Sequence, residues 1–198
     1  MPKTRRYFLG LGSNLGNRLL NLALARRLLE EAGVKVERES SVYRTQPKGY
    51  PAQPWFYNQV LEVKTSLRPL DLLAVAKSIE TKLKRVPTVR NGPRRIDVDI
   101  ILAGRTVLQS PKLTLPHPRL ARRNFVLVPL EEIAPKEVHP LLGKTVRALS
   151  AESRDTGVVI KLAPVSKTHK SAARRSPEKP IPGTSISSRR KKRNSTAA

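Results

Sequence analysis

The segment Asn91-Gly92-Pro93-Arg94-Arg95-Ile96-Asp97-Val98-Asp99-Ile100-Ile101-Leu102 decides how this chain must be read. Ile96, Val98, Ile100 and Leu102 recur at every second position, the period of a half-buried strand and not of a helix. Side chains two apart on a strand share a face, about 6.5–7 Å apart along it. Asp97 and Asp99 are therefore predicted side by side, on the face turned away from the core. Two such carboxylates repel; a cation beside them removes that cost, and hard oxygen ligands suit Mg²⁺. Arg94 adds an anion partner at the same edge. A metal, an arginine and a Gly-Pro turn point to a polyphosphate site. The plainer alternative is a solvated acidic face on an edge strand.

Working outward, Arg6–Leu11 reads as a first strand, followed by a glycine-rich loop from Gly10 to Gly16. Leu20, Leu24 and Leu28, spaced by four, predict a helix over Arg18–Glu31 that stops at Gly33. Val34–Tyr43 is a second strand, Thr45–Pro51 a loop, and Tyr57–Ser66 a third strand. Pro69 opens a second helix whose apolar stripe runs from Leu72 to Leu83. After the aspartate strand come a hairpin turning at Gly104 with Thr106–Leu108, an extended Leu115-Pro116-His117-Pro118, a short helix over Phe125–Ile133, and a last strand over Val158–Leu162. Strand–helix–strand–strand–helix–strand in this order predicts an α+β, ferredoxin-like fold with a largely antiparallel sheet flanked by helices.

A chain of 198 residues with 38% apolar content supports one folded domain, expected over 1–164. Cysteine is absent, which excludes disulfides and thiolate metal sites. No apolar run approaches the ~20 residues of a membrane span, and the start carries no signal-peptide core, so a cytoplasmic protein is expected. The net charge of +24 is concentrated: residues 165–198 hold ten Lys/Arg against one Glu, including Arg189-Arg190-Lys191-Lys192-Arg193. With almost nothing apolar to bury, that tail is predicted to be disordered. It is also the element on which a rival reading, a nucleic-acid-binding protein, would rest.

Gly10-x-Gly12-x-x-x-Gly16 between strand and helix invites a dinucleotide-binding reading, since it offers backbone N–H groups at a helix N-terminus. The spacing is wrong for it, and no helix follows the second strand. A phosphate-binding P-loop is excluded because no Lys-Ser/Thr follows Gly16.

Leu11-Gly12-Ser13-Asn14-Leu15-Gly16 and Gly92-Pro93-Arg94 followed by Asp97-Val98-Asp99 together resemble the 6-hydroxymethyl-7,8-dihydropterin pyrophosphokinase family. Ser41-Val42-Tyr43-Arg44-Thr45, Gln53-Pro54-Trp55-Phe56-Tyr57-Asn58, Leu115-Pro116-His117-Pro118 and Arg123-Asn124-Phe125-Val126-Leu127 extend the likeness over about Tyr7 to Leu149. The resemblance implies an enzyme of folate biosynthesis that takes ATP as co-substrate, uses two Mg²⁺ ions, acts on a dihydropterin, works as a monomer and binds no membrane. It implies Asp97 and Asp99 as metal ligands, and Arg94, His117, Arg123 and Arg85 as cationic clamps on the phosphates. Glu80, Lys112, Thr114 and Ile100 would contact ATP; Gly12, Thr45, Phe56, Asn58 and Phe125 would bind the pterin. His139 and His169 have no companions and read as incidental. Two positions depart from the family pattern in the loop that forms its lid: Pro87 where an arginine is usual, and Asn91 where a tryptophan is common. Arg90 is read as replacing the missing charge.

Overall fold

A computed structural model of the chain describes residues 3–85, 89 and 91–163. The chain divides into a unit of Met1–Pro164 and a second of Val165–Ala198; the basic tail, Pro87 and Arg90 lie outside the described residues. The first unit is built on a six-stranded sheet in the order β5-β1-β4-β3-β8, with β2 also paired to β4. These strands are β1 Arg5–Ser13, β2 Lys35–Glu39, β3 Tyr43–Thr45, β4 Phe56–Thr65, β5 Asp97–Leu102 and β8 Val159–Lys161. Every pairing is antiparallel.

Alternation sorts the side chains to two faces. Leu9, Leu11, Leu61, Val63, Val98 and Ile100 pack under α1 (Arg18–Glu31) and α2 (Pro69–Lys82) with Leu22, Leu29, Leu72 and Ile79. Phe8, Val60 and Ile101 pack under α3 (Asn124–Ile133) and α4 (Val146–Ala151) with Leu127, Leu130 and Leu149. Each fully buried leucine contributes about 1.5–3 kcal/mol to holding the layers together. Helix α1 starts where the Asn17 side chain accepts the Leu20 N–H, and the chain turns out of it at Gly33, whose φ of +77° favours glycine.

Three expectations are corrected. The predicted strand Val34–Tyr43 is two strands, because at Ser40 the side chain takes over half of the ladder: the backbone N–H still donates to the Val60 carbonyl, but the hydroxyl accepts the Val60 N–H at 2.9 Å and donates to the Ser41 carbonyl. The hairpin expected at Gly104 is instead formed by β6 Leu108–Gln109 with β7 Thr114–Leu115. Gly10 and Gly12 belong to β1 and not to a loop.

Candidate active site

The register of the sheet sets the floor of a large cavity. On β1, Gly10 pairs with Asp99 on one side and Val60 on the other, and Gly12 with Asp97 and Asn58. Two glycines thus separate the aspartate pair on β5 from Phe56 and Asn58 on β4 and leave open space between them. The cavity, about 790 Å³ with the open solvent at its mouth, is walled by Thr45, Gln46 and Lys48, by Asn91 and Arg94, by His117, and by Arg123, Phe125 and Val126 at the start of α3. A Cβ on Gly12 would stand 2.8 Å from Asn58 Oδ1. Gly12→Ala is expected to push Asn58 aside and weaken binding of whatever that amide recognises by roughly tenfold, with folding retained; ligand titration of the folded variant checks it.

The acidic pair is not the solvated face expected from alternation alone, because α3 and its apolar core cover that side of the sheet. Asp97 accepts Arg85 Nη1 at 2.6 Å and Arg94 Nη2 at 2.9 Å. Asp99 has neither an ion pair nor a hydrogen bond to its carboxylate among the described residues. Burial, then the neighbouring Asp97 charge, raise its carboxyl to about 6. Adjacent half-buried carboxylates, one without a partner, form a donor set that fits a hard divalent cation. Among the described residues no third acidic or histidine ligand joins them. Such an ion would complete its shell with water and phosphate oxygens, as Mg²⁺ does.

Positive charge surrounds the pair. Arg94 Nε is buried without an acceptor, and burial together with nearby Arg119 lowers the Arg123 guanidinium below its ordinary value. A polyanion would relieve both. His117, expected as a cationic clamp, is held toward its neutral form. Burial, then Arg123 and Arg119, lower its imidazolium to about 4. Its Nδ1 accepts the Arg119 N–H at 3.2 Å, which assigns the proton to Nε2 and makes the ring a neutral donor. The His117 backbone N–H donates to the Ile101 carbonyl at 2.9 Å, which anchors the residue. In the ligand-free protein the His117 ring resonances are expected to stay at their neutral positions from pH 7 down to pH 5. A midpoint near 6.5 in an NMR titration would contradict this.

Phe56 and Phe125 both line the cavity, with the Arg94 guanidinium 5.1 Å from the Phe56 ring centre and Arg123 5.3 Å from that of Phe125. Asn58 Nδ2 donates to Thr45 Oγ1 at 2.6 Å, and its Oδ1 is turned toward Gly12. An apolar slot ending in an amide and a hydroxyl suits a flat heterocycle with its own donors and acceptors.

The remaining named residues stand elsewhere. Arg85 reaches the cavity only through Asp97. Glu80 is buried, with its oxygens taken up by the Val98 N–H, Lys77 and Arg85, so it seals the open edge of β5. Lys112 is exposed beyond β6 and Thr114 lies in β7, neither lining the cavity. The Ile100 side chain is a correction: it is buried in the core on the opposite face. His139, read as incidental, is buried and accepts the Leu142 N–H. Asn91, at φ +60°, lies against Gly49, and its carbonyl accepts from Gln53.

Sequence reasoning missed the polar residues that hold this arrangement. Asn14 donates to Gln53 Oε1 and to the Pro54 carbonyl, and accepts the Arg94 N–H at 2.7 Å. Asn21 donates to Ser13 Oγ and to the Leu15 and Arg95 carbonyls. A buried asparagine on an apolar helix face was the available signal.

Residues 8–135 match the family described as 7,8-dihydro-6-hydroxymethylpterin-pyrophosphokinase. The 2-amino-4-hydroxy-6-hydroxymethyldihydropteridine pyrophosphokinase of Bacillus subtilis is 43% identical over 152 residues, which cover 76% of this chain and 87% of that protein. The folic acid synthesis protein fol1 of Pneumocystis carinii is 42% identical over 139 residues, 70% of this chain, so the chain spans only 19% of that longer protein. Among solved structures, Plasmodium falciparum HPPK-DHPS, wild type, with STZ-DHP, is similar in fold at a TM-score of 0.61 and 19% identity, over 75% of this chain and 43% of that one.

Proposed function

The chain belongs to the 7,8-dihydro-6-hydroxymethylpterin-pyrophosphokinase family, and from that premise we propose that it transfers the β,γ-pyrophosphoryl group of ATP to 6-hydroxymethyl-7,8-dihydropterin, releasing AMP, as a step in folate synthesis. One observation carries the reading: a single cavity brings the aspartate pair, Arg94, Arg123, His117 and both phenylalanines together. The sheet order, with β1 and β4 central, supports a ferredoxin-like arrangement as the frame.

Phe56 and Phe125 would stack on the bicyclic ring while Asn58 and Thr45 pair with its edge. That orients the hydroxymethyl oxygen for in-line attack on the β-phosphorus; the bond to the α–β bridging oxygen breaks and AMP leaves with it. Asp97 and Asp99 would hold two Mg²⁺ ions, which when bound neutralise charge on the phosphate oxygens. Arg85 and Arg94, both paired with Asp97 in the ligand-free protein, would hold positive charge beside the metal-binding carboxylates and offer it to the phosphates. Arg123 and the His117 Nε2–H would add donors to the same phosphates. Glu80, Lys112 and Thr114 would serve the nucleotide side, with Glu80 acting through Arg85. Positioning and electrostatics dominate phosphoryl transfer, so no strong base is required.

The enzyme is proposed to act as a cytoplasmic monomer; no described helix is long and apolar enough to cross a membrane. The nucleic-acid reading gains no support, since its carrier, the basic tail, lies outside the described residues. Phosphorus NMR of the reaction mixture tests the activity. AMP and a pyrophosphate monoester are expected, only with Mg²⁺ and the dihydropterin both present. ADP with a phosphate monoester, or no product at all, would overturn it.

A further inference from the structure

Asp155 lies in the segment that leads from α4 to β8, remote in sequence from every residue that lines the cavity. Its side chain is only 2% exposed, yet it is fully engaged. One carboxylate oxygen accepts the Asn124 N–H at 2.8 Å and Lys48 Nζ at 2.5 Å; the other accepts the Gly157 N–H at 2.8 Å. Asn124 returns a bond from Nδ2 to the Asp155 carbonyl at 2.6 Å. Asn124 is the first residue of α3 and is flanked by Arg123 and Phe125, which line the cavity. Lys48 lines it from the opposite loop. The same segment is stitched to that loop's base, because Val159 pairs with Thr45 in the sheet and Gln46 N–H donates to the Val158 carbonyl at 3.1 Å.

Two walls of the cavity that share no sequence neighbourhood are therefore joined through one buried carboxylate. A helix start without a capping side chain of its own leaves its first N–H groups needing an acceptor; Arg123, at the N-cap, supplies none, and Asp155 does. The negative charge also suits the helix N-terminus and balances the Lys48 ammonium, which would otherwise stand free at the cavity rim.

We propose that Asp155 is a positioning residue for the heterocycle pocket: it latches the Lys48 loop to the start of α3 and so fixes Phe125 against the slot faced by Phe56. This rests on the pterin reading above. Its consequence is selective. Removing the latch loosens the side of the cavity formed by residues 45–48 and 124–126, while Asp97, Asp99 and Arg94 keep the supports already described on β5 and at Asn14.

The test compares wild type, Asp155→Ala and Lys48→Met in the full chain. Dihydropterin binding is followed by quenching of Trp55, the chain's one tryptophan, and ATP affinity is measured separately. Asp155→Ala is expected to weaken dihydropterin binding about tenfold and ATP binding less than twofold, while Lys48→Met, whose side chain is 40% exposed and whose loss does not threaten folding, gives about threefold. Adding Lys48→Met to Asp155→Ala should cost nothing more. Amide exchange should rise together at 45–48 and 124–126 in Asp155→Ala, a readout independent of the ligand's identity. Failure of wild type to bind dihydropterin would overturn the proposed function; the exchange experiment would still judge the latch. Equal losses for both substrates, additive effects of the two substitutions, or exchange unchanged in either segment would overturn the latch. Should Asp155→Ala not fold, an unchanged dihydropterin affinity in Lys48→Met would overturn it alone.

Discussion

Asp99→Asn is expected to make the ligand-free protein more stable and the enzyme nearly inactive. Asp99 keeps a proton to about pH 6 in the folded chain, because burial and the Asp97 charge oppose its ionisation. In the unfolded chain it ionises near its ordinary value of 3.8. Between these values the folded state binds more protons, so stability falls as pH rises through the window and the loss is complete above about 6. The cost at neutral pH is on the order of 2–3 kcal/mol, by the conversion of about 1.4 kcal/mol per pKa unit. The amide has the same shape and no charge to desolvate. Melting curves of wild type and Asp99→Asn should coincide near pH 4 and diverge toward pH 7, with the variant higher. Mg²⁺ with ATP should raise the wild type and leave the variant little changed. Turnover should drop at least a hundredfold, roughly the loss seen when a preorganised electrostatic contact to the transition state is removed. A less stable variant, or one that keeps turnover, would contradict the assignment. Asp97 behaves differently: Asp97→Ala leaves Arg85 and Arg94 without their shared partner and is expected to lower stability as well as turnover.

Asn14→Ala is expected to have the largest effect outside the acidic pair. Its side chain is the only link in the described structure that ties the Arg94 N–H, Gln53 and the Pro54 carbonyl into one node. The alanine leaves a buried N–H and two oxygens seeking new partners, each costing about 1–3 kcal/mol when unsatisfied. Partial relaxation brings the net loss to about 2–4 kcal/mol, read from denaturant unfolding. Arg94 is held in place by the same node, so its guanidinium should wander from Asp97 and the phosphates. Turnover should fall at least tenfold, since displacements near 1 Å at a positioned group can cost a hundredfold. A stable Asn14→Ala with normal turnover would show that Arg94 is positioned by other contacts.

The parts of this molecule that follow from local periodicity are legible in the sequence. Alternation placed β5 and put Asp97 and Asp99 on one face; apolar spacing placed α1, α2 and α3 with ends close to the observed ones. What alternation cannot report is what covers a strand face. Asp97 and Asp99 looked solvated because the core of α3, built from Leu127, Leu130 and Ile133, is contributed by residues far along the chain. The same limit hid the state of His117, whose neutrality depends on burial and on Arg119 and Arg123 around it. Asn14, Asn21 and Asp155 were missed because each acts through backbone groups of distant segments. A pattern of residue types does not encode such partners. The strand from Val34 to Tyr43 broke at Ser40, where a short hydroxyl competes for the backbone. Glycine spacing alone reads as a loop, whereas in β1 the missing side chains of Gly10 and Gly12 open the cavity floor.

The claim on which the account turns is that a metal–polyphosphate complex settles on the Asp97–Asp99 face. Titration of Mn²⁺ with ATP, followed by the water-proton relaxation of the bound ion, reads this directly. Wild type is expected to form a ternary complex of protein, Mn²⁺ and ATP, and Asp99→Asn and Asp97→Asn are expected to bind it at least tenfold more weakly. Equal relaxation enhancement in wild type and both variants would place the metal elsewhere and contradict the account.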